Sequence, residues 1–185
     1  TTIGTDITTY YAKANGEITE LETWSSTPDG NGSSPTEFNN HNLHFILNRN
    51  ASVSEPMDLT GINTKLIVTN GATLTLDDAV IGEIDLEDDA QLVINGNVTP
   101  QLGELSPTST VVYNSNITVD PATYGHLSLG GSGSTKTLSA GTYEVTGNLT
   151  LGGGVTLAGS VENNTIINVA GNVIFSGAVT FPQED

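Results

Sequence analysis

The chain has 185 residues, 21 of them acidic and 4 basic, and its formal net charge is −17. The basic residues are scattered, which excludes the clustered Lys and Arg of a nucleic-acid interface and disfavours an anionic membrane surface. There is no Cys, so disulfides, thiolate metal sites and a Cys nucleophile are excluded. No apolar run has the roughly 18 residues of a membrane span, so we expect no membrane insertion.

Residues 1–41 form the first predicted unit and carry no repeat. Helical composition is confined to Glu17–Thr23, which leads directly into Trp24 and a stretch rich in Gly, Ser and Pro. The remainder of the chain predicts a β-solenoid, and a solenoid has an apolar end that a capping segment must cover. We therefore expect residues 1–41 to be an N-terminal cap, with Tyr10 and Trp24 packed over the first coil.

From residue 42 onward the sequence consists of short apolar runs with period-2 alternation, separated by Asn-Gly, Gly-Asn and Asp-Pro turns. This pattern is typical of β-strands. The predicted strands include Leu43–Leu47, Leu66–Thr69, Ala72–Leu76, Gln91–Ile94, Asn148–Leu151 and Thr165–Val169.

A repeat is visible in the polar or Gly corner that follows each apolar run. Successive corners are 22, 25, 25, 27 and 24 residues apart, and the best-matched pair of segments is Val145–Leu151 with Val169–Phe175. The segments Val68–Gly71 and Ile94–Gly96 also share an Asn-Gly pair. The corners are Asn48, Asn70, Asn95, Asp120, Gly147 and Gly171.

An all-β chain with a period near 24 residues predicts a right-handed parallel β-helix of about six coils. We expect residues 42–185 to form the coils and, with the cap, a single structural domain. The residues in stacked inward rows should include Leu66, Leu92, Leu149 and Val173. An antiparallel sandwich or barrel is the alternative, because its strands also recur every 8–12 residues or so.

The last predicted coil runs from Gly171 to Phe181, with Val173, Phe175 and Phe181 among its inward residues. No second cap is predicted after it. Since unpaired edges and apolar rows template pairing with other chains, we expect a following module or another copy of the chain to cover Phe175 and Phe181.

The densest acidic cluster lies between residues 77 and 89. Carboxylates at this density predict either a Ca²⁺ site or a solvated face of the coil, with Ile81, Ile84, Leu86 and Leu92 pointing inward. Neither an Asp-x-Asp-x-Asp-Gly loop nor the nonapeptide Gly-Gly-x-Gly-x-Asp repeat is present. The candidate ligands are Asp77, Asp78, Asp85, Asp88 and Asp89, and no other cofactor is expected.

Catalytic signals are sparse. Asp85, Asp88 and Glu104 are candidates for a general acid and base acting on a polysaccharide. The shortage of basic residues and the absence of a nucleophile arrangement argue against an enzyme. Three tyrosines in the coils predict either sugar stacking or buried packing, and the three histidines are too dispersed for a metal set. The tyrosines are Tyr113, Tyr124 and Tyr143, and the histidines are His41, His44 and His126.

Eight segments carry a family resemblance: Tyr10–Gly16, Thr23–Trp24, Asp29–Pro35, Val98–Leu105, Ser109–Tyr113, Thr123–Leu129, Gly131–Leu138 and Val145–Leu151. Together they resemble a repeat module of large secreted proteins of Bacteroidetes. The resemblance implies a β-helical stalk or adhesin-like module of a multidomain protein, exported by a signal peptide and often by the type IX route. No catalytic residue set belongs to such modules.

Composition and resemblance together predict a non-catalytic structural or adhesive module at the surface of a bacterial cell or in its secretions. Its expected partners are neighbouring modules, copies of itself and carbohydrate. A self-assembling filament or matrix subunit is the second hypothesis, and a fragment of a carbohydrate-active enzyme is the third.

Overall fold

The computed structural model describes residues 6–159 and 165–180, so Phe181 lies outside the described residues. The described chain is all-β in class, and its one helical element is a three-residue 3₁₀ turn at Leu21–Thr23. The strands are short because Gly, Asn and Asp turns interrupt the apolar runs. In chain order they are β1 (Thr8–Ala12), β2 (Gly16–Glu17), β3 (Trp24–Ser25), β4 (Leu43–Leu47), β5 (Ala51–Val53), β6 (Met57–Asp58), β7 (Lys65–Val68), β8 (Thr73–Leu76), β9 (Val80–Ile81), β10 (Glu83–Leu86), β11 (Gln91–Ile94), β12 (Gln101–Leu105), β13 (Thr110–Tyr113), β14 (Ile117–Val119), β15 (Thr123–Tyr124), β16 (His126–Leu129), β17 (Thr135–Leu138), β18 (Gly141–Val145), β19 (Leu149–Leu151), β20 (Thr156–Gly159), β21 (Thr165–Val169) and β22 (Val173–Phe175).

Neighbouring strands in each sheet come from successive turns of the chain. The first sheet has the order β12-β10-β7-β4-β1-β3, and the second has the order β2-β5-β8-β11-β13-β16-β19-β22. Smaller sheets are β6-β9, β14-β17-β20 and β15-β18-β21. Every described strand pair is parallel except β1 with β3. The fold is therefore a parallel β-solenoid of about six turns, as predicted, and the sandwich and barrel alternatives are wrong.

The core consists of apolar rows that run along the solenoid. In the second sheet, Leu92 pairs with Leu74 on one side and Val111 on the other, and the row continues to Leu149 and Val173. Burial removes these side chains from water and stabilises the stack by about 25 cal/mol per Å² of apolar area. The predicted inward positions are confirmed for Leu92 and Leu149, which are 0% and 4% exposed. Val173 continues the row but is 47% exposed on the last described turn.

The repeat register inferred from the corners is wrong in the middle of the chain. Asn70 follows β7 of the first sheet, whereas Asn95 follows β11 of the second, so the two corners are not equivalent. From β4 onward, paired residues show that turns vary from 16 residues, between Val111 and Leu127, to 24 residues, between Leu149 and Val173, whereas the first turn takes 35 residues, from Thr8 to Leu43. An Asn-Gly turn fits a corner between any two sheets, so it does not identify which corner it occupies.

Toward the C-terminus the predicted repeat is confirmed. Val145 pairs with Val169, and Leu149 pairs with Val173, so the two matched segments are adjacent turns in register.

The N-terminal segment both continues the solenoid and closes it. Strands β1 and β2 pair in parallel with β4 and β5, and β3 then runs antiparallel to β1 at the end of the first sheet. Trp24 is fully buried and packs edge-on against Phe45, with 5.0 Å between the two ring centroids. Its indole N–H donates to the carbonyl of Ile18 at 2.9 Å. Tyr10 stacks on the same Phe45 ring at 5.8 Å. This aromatic group covers the core of the first full turn.

The row register predicts unequal costs for two truncations to Ala at neighbouring positions of one row. Leu149→Ala should lower the free energy of unfolding by about 2–5 kcal/mol, because it opens a cavity between two turns. Val173→Ala, one turn later in the same row, should cost about 1 kcal/mol or less, because that side chain is half exposed. Denaturant unfolding of the two variants measures the difference, and equal losses would contradict the row assignment.

Candidate functional site

The outer face of the first sheet brings polar side chains of four turns side by side. Alternation places Leu66 and Ile84 inward, so Lys65 and Glu83 point outward. The parallel register then aligns His44 with Lys65, and Lys65 with Glu83. Strands in such a sheet lie about 4.8 Å apart, so outward side chains in one row are in reach of one another.

These side chains line a groove of about 600 Å³, which we call the first-sheet groove. It contains all three acids that the sequence suggested for acid–base chemistry, Asp85, Asp88 and Glu104, together with Lys65. The full lining is His44, Lys65, Ile67, Asn70, Asp85, Leu86, Glu87, Asp88, Glu104, Leu105 and Ser106.

Asp85 is the best-anchored acid of the groove. Its carboxylate lies 2.5 Å from the Lys65 amine, which also lies 3.4 Å from Glu83, and it accepts the backbone N–H of Glu104 at 2.8 Å. The hydrogen bond and charge of Asp85 raise the pKa of Lys65. Asp85 is 7% exposed, so both of its oxygens are held by the protein in a largely dry position.

A β-bulge makes room for this carboxylate. The register between β10 and β12 shifts between Ile84 and Leu86, and Gly103 lies in the extra length of β12. A Cβ at Gly103 would collide with Oδ1 of Asp85. The glycine therefore allows Asp85 to reach the backbone of β12, which is a feature that local sequence patterns do not reveal.

His44 faces the groove from β4 and is half-buried. Burial, followed by the nearby Lys65 charge, lowers the pKa of its imidazole, so the ring is neutral at pH 7. Its Nε2 atom is buried and has no hydrogen-bond partner. His41 and His126 lie elsewhere and accept backbone N–H groups through Nδ1, from Ile62 at 2.8 Å and Asn148 at 2.9 Å, so they fix loops.

The candidate calcium ligands lie in separate environments. Asp88 accepts the hydroxyl of Ser106, whereas Asp77 accepts the amide of Asn95 at 3.2 Å and Asp78 accepts the N–H of Ala79 at 2.7 Å. Asp89 adopts a positive φ of 57° in a turn. Within residues 6–159 and 165–180, no three His, Asp or Glu side chains are grouped so that they could hold a metal ion. Calcium binding remains a prediction from composition.

The acidic stretch also shows one error in the predicted inward set. Ile84, Leu86 and Leu92 are buried, but Ile81 is 51% exposed. Val80 occupies the inward position of β9 and pairs with Met57, and the period of two then turns the neighbouring Ile81 outward.

The three coil tyrosines belong to the core and offer no platform for sugars. Tyr113, Tyr124 and Tyr143 are at most 1% exposed. Their hydroxyls are used internally, since Tyr124 donates to the carbonyl of Asp120 and Tyr143 to that of Val119, each at 2.6 Å. Burial raises the pKa of Tyr113 to about 12.

A buried lysine was not anticipated from the sequence. Lys136 is 0% exposed, and its amine donates to the carbonyl of Ser115 and to Oγ of Ser134, the latter at 2.8 Å. No carboxylate forms a salt bridge with it in the described part of the chain. Burial lowers its pKa to about 8. The alternation Thr-Lys-Thr-Leu in β17 is the available sequence signal, because it places Lys136 on the same face as Leu138.

Comparison with known proteins finds no matching family profile, no significantly similar curated sequence and no significantly similar solved structure. The resemblance to the Bacteroidetes module thus rests on the sequence motifs. Among the described residues, no helix has the length and hydropathy to cross a membrane.

Lys136 predicts an unusual pH dependence of stability. The pKa of Lys136 is about 8 in the folded chain, whereas an unburied lysine has a pKa of 10.5. Between pH 8 and pH 10.5, unfolding is therefore accompanied by uptake of a proton. Stability should therefore rise as the pH increases from neutral to about 9.5, because the cost of burying the cation disappears.

Denaturant unfolding across this pH range measures the effect. Lys136→Met should abolish the rise, whereas Lys13→Met, whose amine donates to the carbonyl of Glu22 in the N-terminal segment, should keep it. A rise that persists in Lys136→Met would assign the effect to another group.

Proposed function

We propose that the chain is a non-catalytic structural module of an extracellular bacterial surface protein, serving as a stalk or binding surface without a cofactor. The observation that carries this proposal is the continuous stack of about six parallel turns with one end closed by Trp24 and β3. Such a stack acts as a spacer, because each turn adds length along one axis and contacts only its neighbours. The sequence resemblance to secreted Bacteroidetes modules supports the location.

The last described turn supports contact with a partner at that end. Val173 and Phe175 continue the inward rows of Leu149 and Leu151, yet they are 47% and 56% exposed. The opposite end is already covered by Trp24, so a head-to-tail filament would place an apolar end on a closed one. This asymmetry favours a neighbouring module, or a second copy joined end to end at the same face, over a continuous filament.

Sedimentation of the isolated chain tests the open end. We expect concentration-dependent self-association that Phe175→Lys weakens, because a charge in the apolar row must be desolvated on contact. Ile174→Lys is the matched control, since Ile174 lies between the two row positions on the other face of β22 and is 41% exposed. A strictly monomeric wild-type chain, or equal effects of both substitutions, would count against the proposal.

A carbohydrate-active enzyme is the second candidate, favoured by the meeting of Asp85, Asp88 and Glu104 with Lys65 in one groove. Two features oppose it. The oxygens of Asp85 are held by Lys65 and by the Glu104 N–H, and Lys65 is held in turn by two carboxylates. A general acid or base must be free to exchange a proton with substrate, and a lyase needs an available cation.

Incubation with acidic and neutral polysaccharides distinguishes the two functions. We expect no new reducing ends and no unsaturated products. Turnover that is lost in Asp88→Ala or Glu104→Ala would establish the enzyme instead.

A further inference from the structure

Four Asn-Gly pairs lie in the part of the chain that the structure describes, and the proposed function uses none of them. In such a pair the backbone nitrogen of the glycine is close to the side-chain amide of the preceding asparagine, and glycine has no Cβ to hinder their approach. Attack of that nitrogen on the amide carbon converts the asparagine to an acid. The pairs are Asn15-Gly16, Asn31-Gly32, Asn70-Gly71 and Asn95-Gly96.

Three of the four glycine nitrogens are held by hydrogen bonds. An N–H that donates to a protein oxygen must leave that oxygen before its nitrogen attacks, and the lost bond slows the reaction. The acceptors are the carbonyl of Asn50 for Gly16 at 3.1 Å, Oγ of Ser25 for Gly32 at 2.9 Å and the carbonyl of Leu76 for Gly96 at 3.0 Å.

Two of these asparagines are also held by their side chains. The amide nitrogen of Asn31 donates to Asp29 at 3.0 Å. The amide nitrogen of Asn95 donates to Asp77 at 3.2 Å, and its amide oxygen accepts from Asn114 at 3.0 Å. A side chain held in this way must break these bonds as well before its amide carbon reaches the following nitrogen.

The pair Asn70-Gly71 has none of these restraints. Both residues are exposed, and among the described residues no hydrogen bond engages the Gly71 N–H or the Asn70 amide. Gly71 occupies the third position of a turn, which the Ala72 N–H closes by donating to the Thr69 carbonyl at 3.0 Å. Its φ is 73°, and no atom beyond its chain neighbours would lie within 4 Å of an added Cβ, so the space around it is open.

We propose that Asn70 is a site of spontaneous deamidation in the folded chain. The Gly71 nitrogen gives up its proton and bonds to Cγ of Asn70, while the bond from Cγ to the amide nitrogen breaks and that nitrogen takes up a proton and leaves as ammonia. Water then opens the resulting cyclic imide at one of its two carbonyl carbons. One opening gives aspartate, and the other gives isoaspartate, in which the main chain runs through the side-chain carbon. The reaction needs only water, so the proposal is independent of the stalk function.

The stacking of turns gives this modification a structural consequence. The turn at residues 69–72 stacks on the turn at residues 87–90, because the strands on both sides of the two turns are paired in register. A carboxylate at position 70 therefore lies in the row of Asp88 and adds a like charge to the first-sheet groove, which both positions line. Isoaspartate also adds one carbon to the main chain, and the turn must accommodate it between two strands that are fixed by pairing.

The experiment incubates the full chain in mildly alkaline buffer and follows each asparagine by peptide mapping with fragmentation mass spectrometry, which distinguishes aspartate from isoaspartate. We expect Asn70 to convert about tenfold faster than the other three asparagines, because their reaction requires local opening that breaks at least one hydrogen bond. Similar rates at all four pairs, or faster conversion of any pair other than Asn70, would overturn the proposal.

The same chain in concentrated urea is the matched control, since it keeps the sequence and loses the hydrogen bonds. The four pairs should then convert at similar rates. A preference for Asn70 that persists in urea would also overturn the proposal, because the flanking sequence and not the fold would explain it.

Two chains with the same added charge separate the effect of charge from that of the longer main chain. The isoaspartate form, isolated chromatographically from the incubated sample, should unfold at a lower denaturant concentration than Asn70→Asp, because the main chain is lengthened only in the former. Equal unfolding midpoints would contradict the inferred consequence for the stacked turns.

Discussion

The parallel register between successive turns is the constraint on which the rest of this structure depends. Each paired strand residue lies one strand spacing, about 4.8 Å, from its counterpart in the next turn, so inward and outward positions are repeated along the axis. Apolar rows such as Leu74, Leu92 and Val111 become a continuous core. The same register places each outward charged side chain next to the outward side chains at the paired positions of the two adjacent turns. The charges on this surface therefore interact mainly along such rows.

The first sheet shows how the chain accommodates that rule. Lys65 stands in register between His44 and Glu83 and also reaches Asp85, so one cation pairs with the two neighbouring carboxylates of β10. The bulge at Gly103 then lets Asp85 satisfy a backbone N–H that the irregular ladder leaves free. The Lys65 ion pairs and the bulge at Gly103 are thus two local departures from an otherwise regular stack. Neither neutralises the other acids of the groove, Glu87, Asp88 and Glu104.

Much of the fold was predictable because period-2 alternation and turn residues are local. Strands such as Leu43–Leu47 and Gln91–Ile94 have the predicted bounds. The pairing of one turn with the next depends on residues that are distant in sequence. The identical Asn-Gly corners at residues 70 and 95 therefore gave a wrong register. The acids of the candidate site were identified from composition, but their meeting with Lys65 depends on register and on a bulge. The burial of Lys136 was available from alternation and was missed because lysine is rarely placed in a core.

The antiparallel strand β3 has a consequence for how the molecule comes apart. In a linear array of turns, unfolding starts where a turn has only one neighbour. Trp24 and β3 hold the first turns, whereas β21 and β22 have neighbours on one side only among the described residues. Among the described turns, fraying should therefore advance from β22 toward β1, one turn at a time.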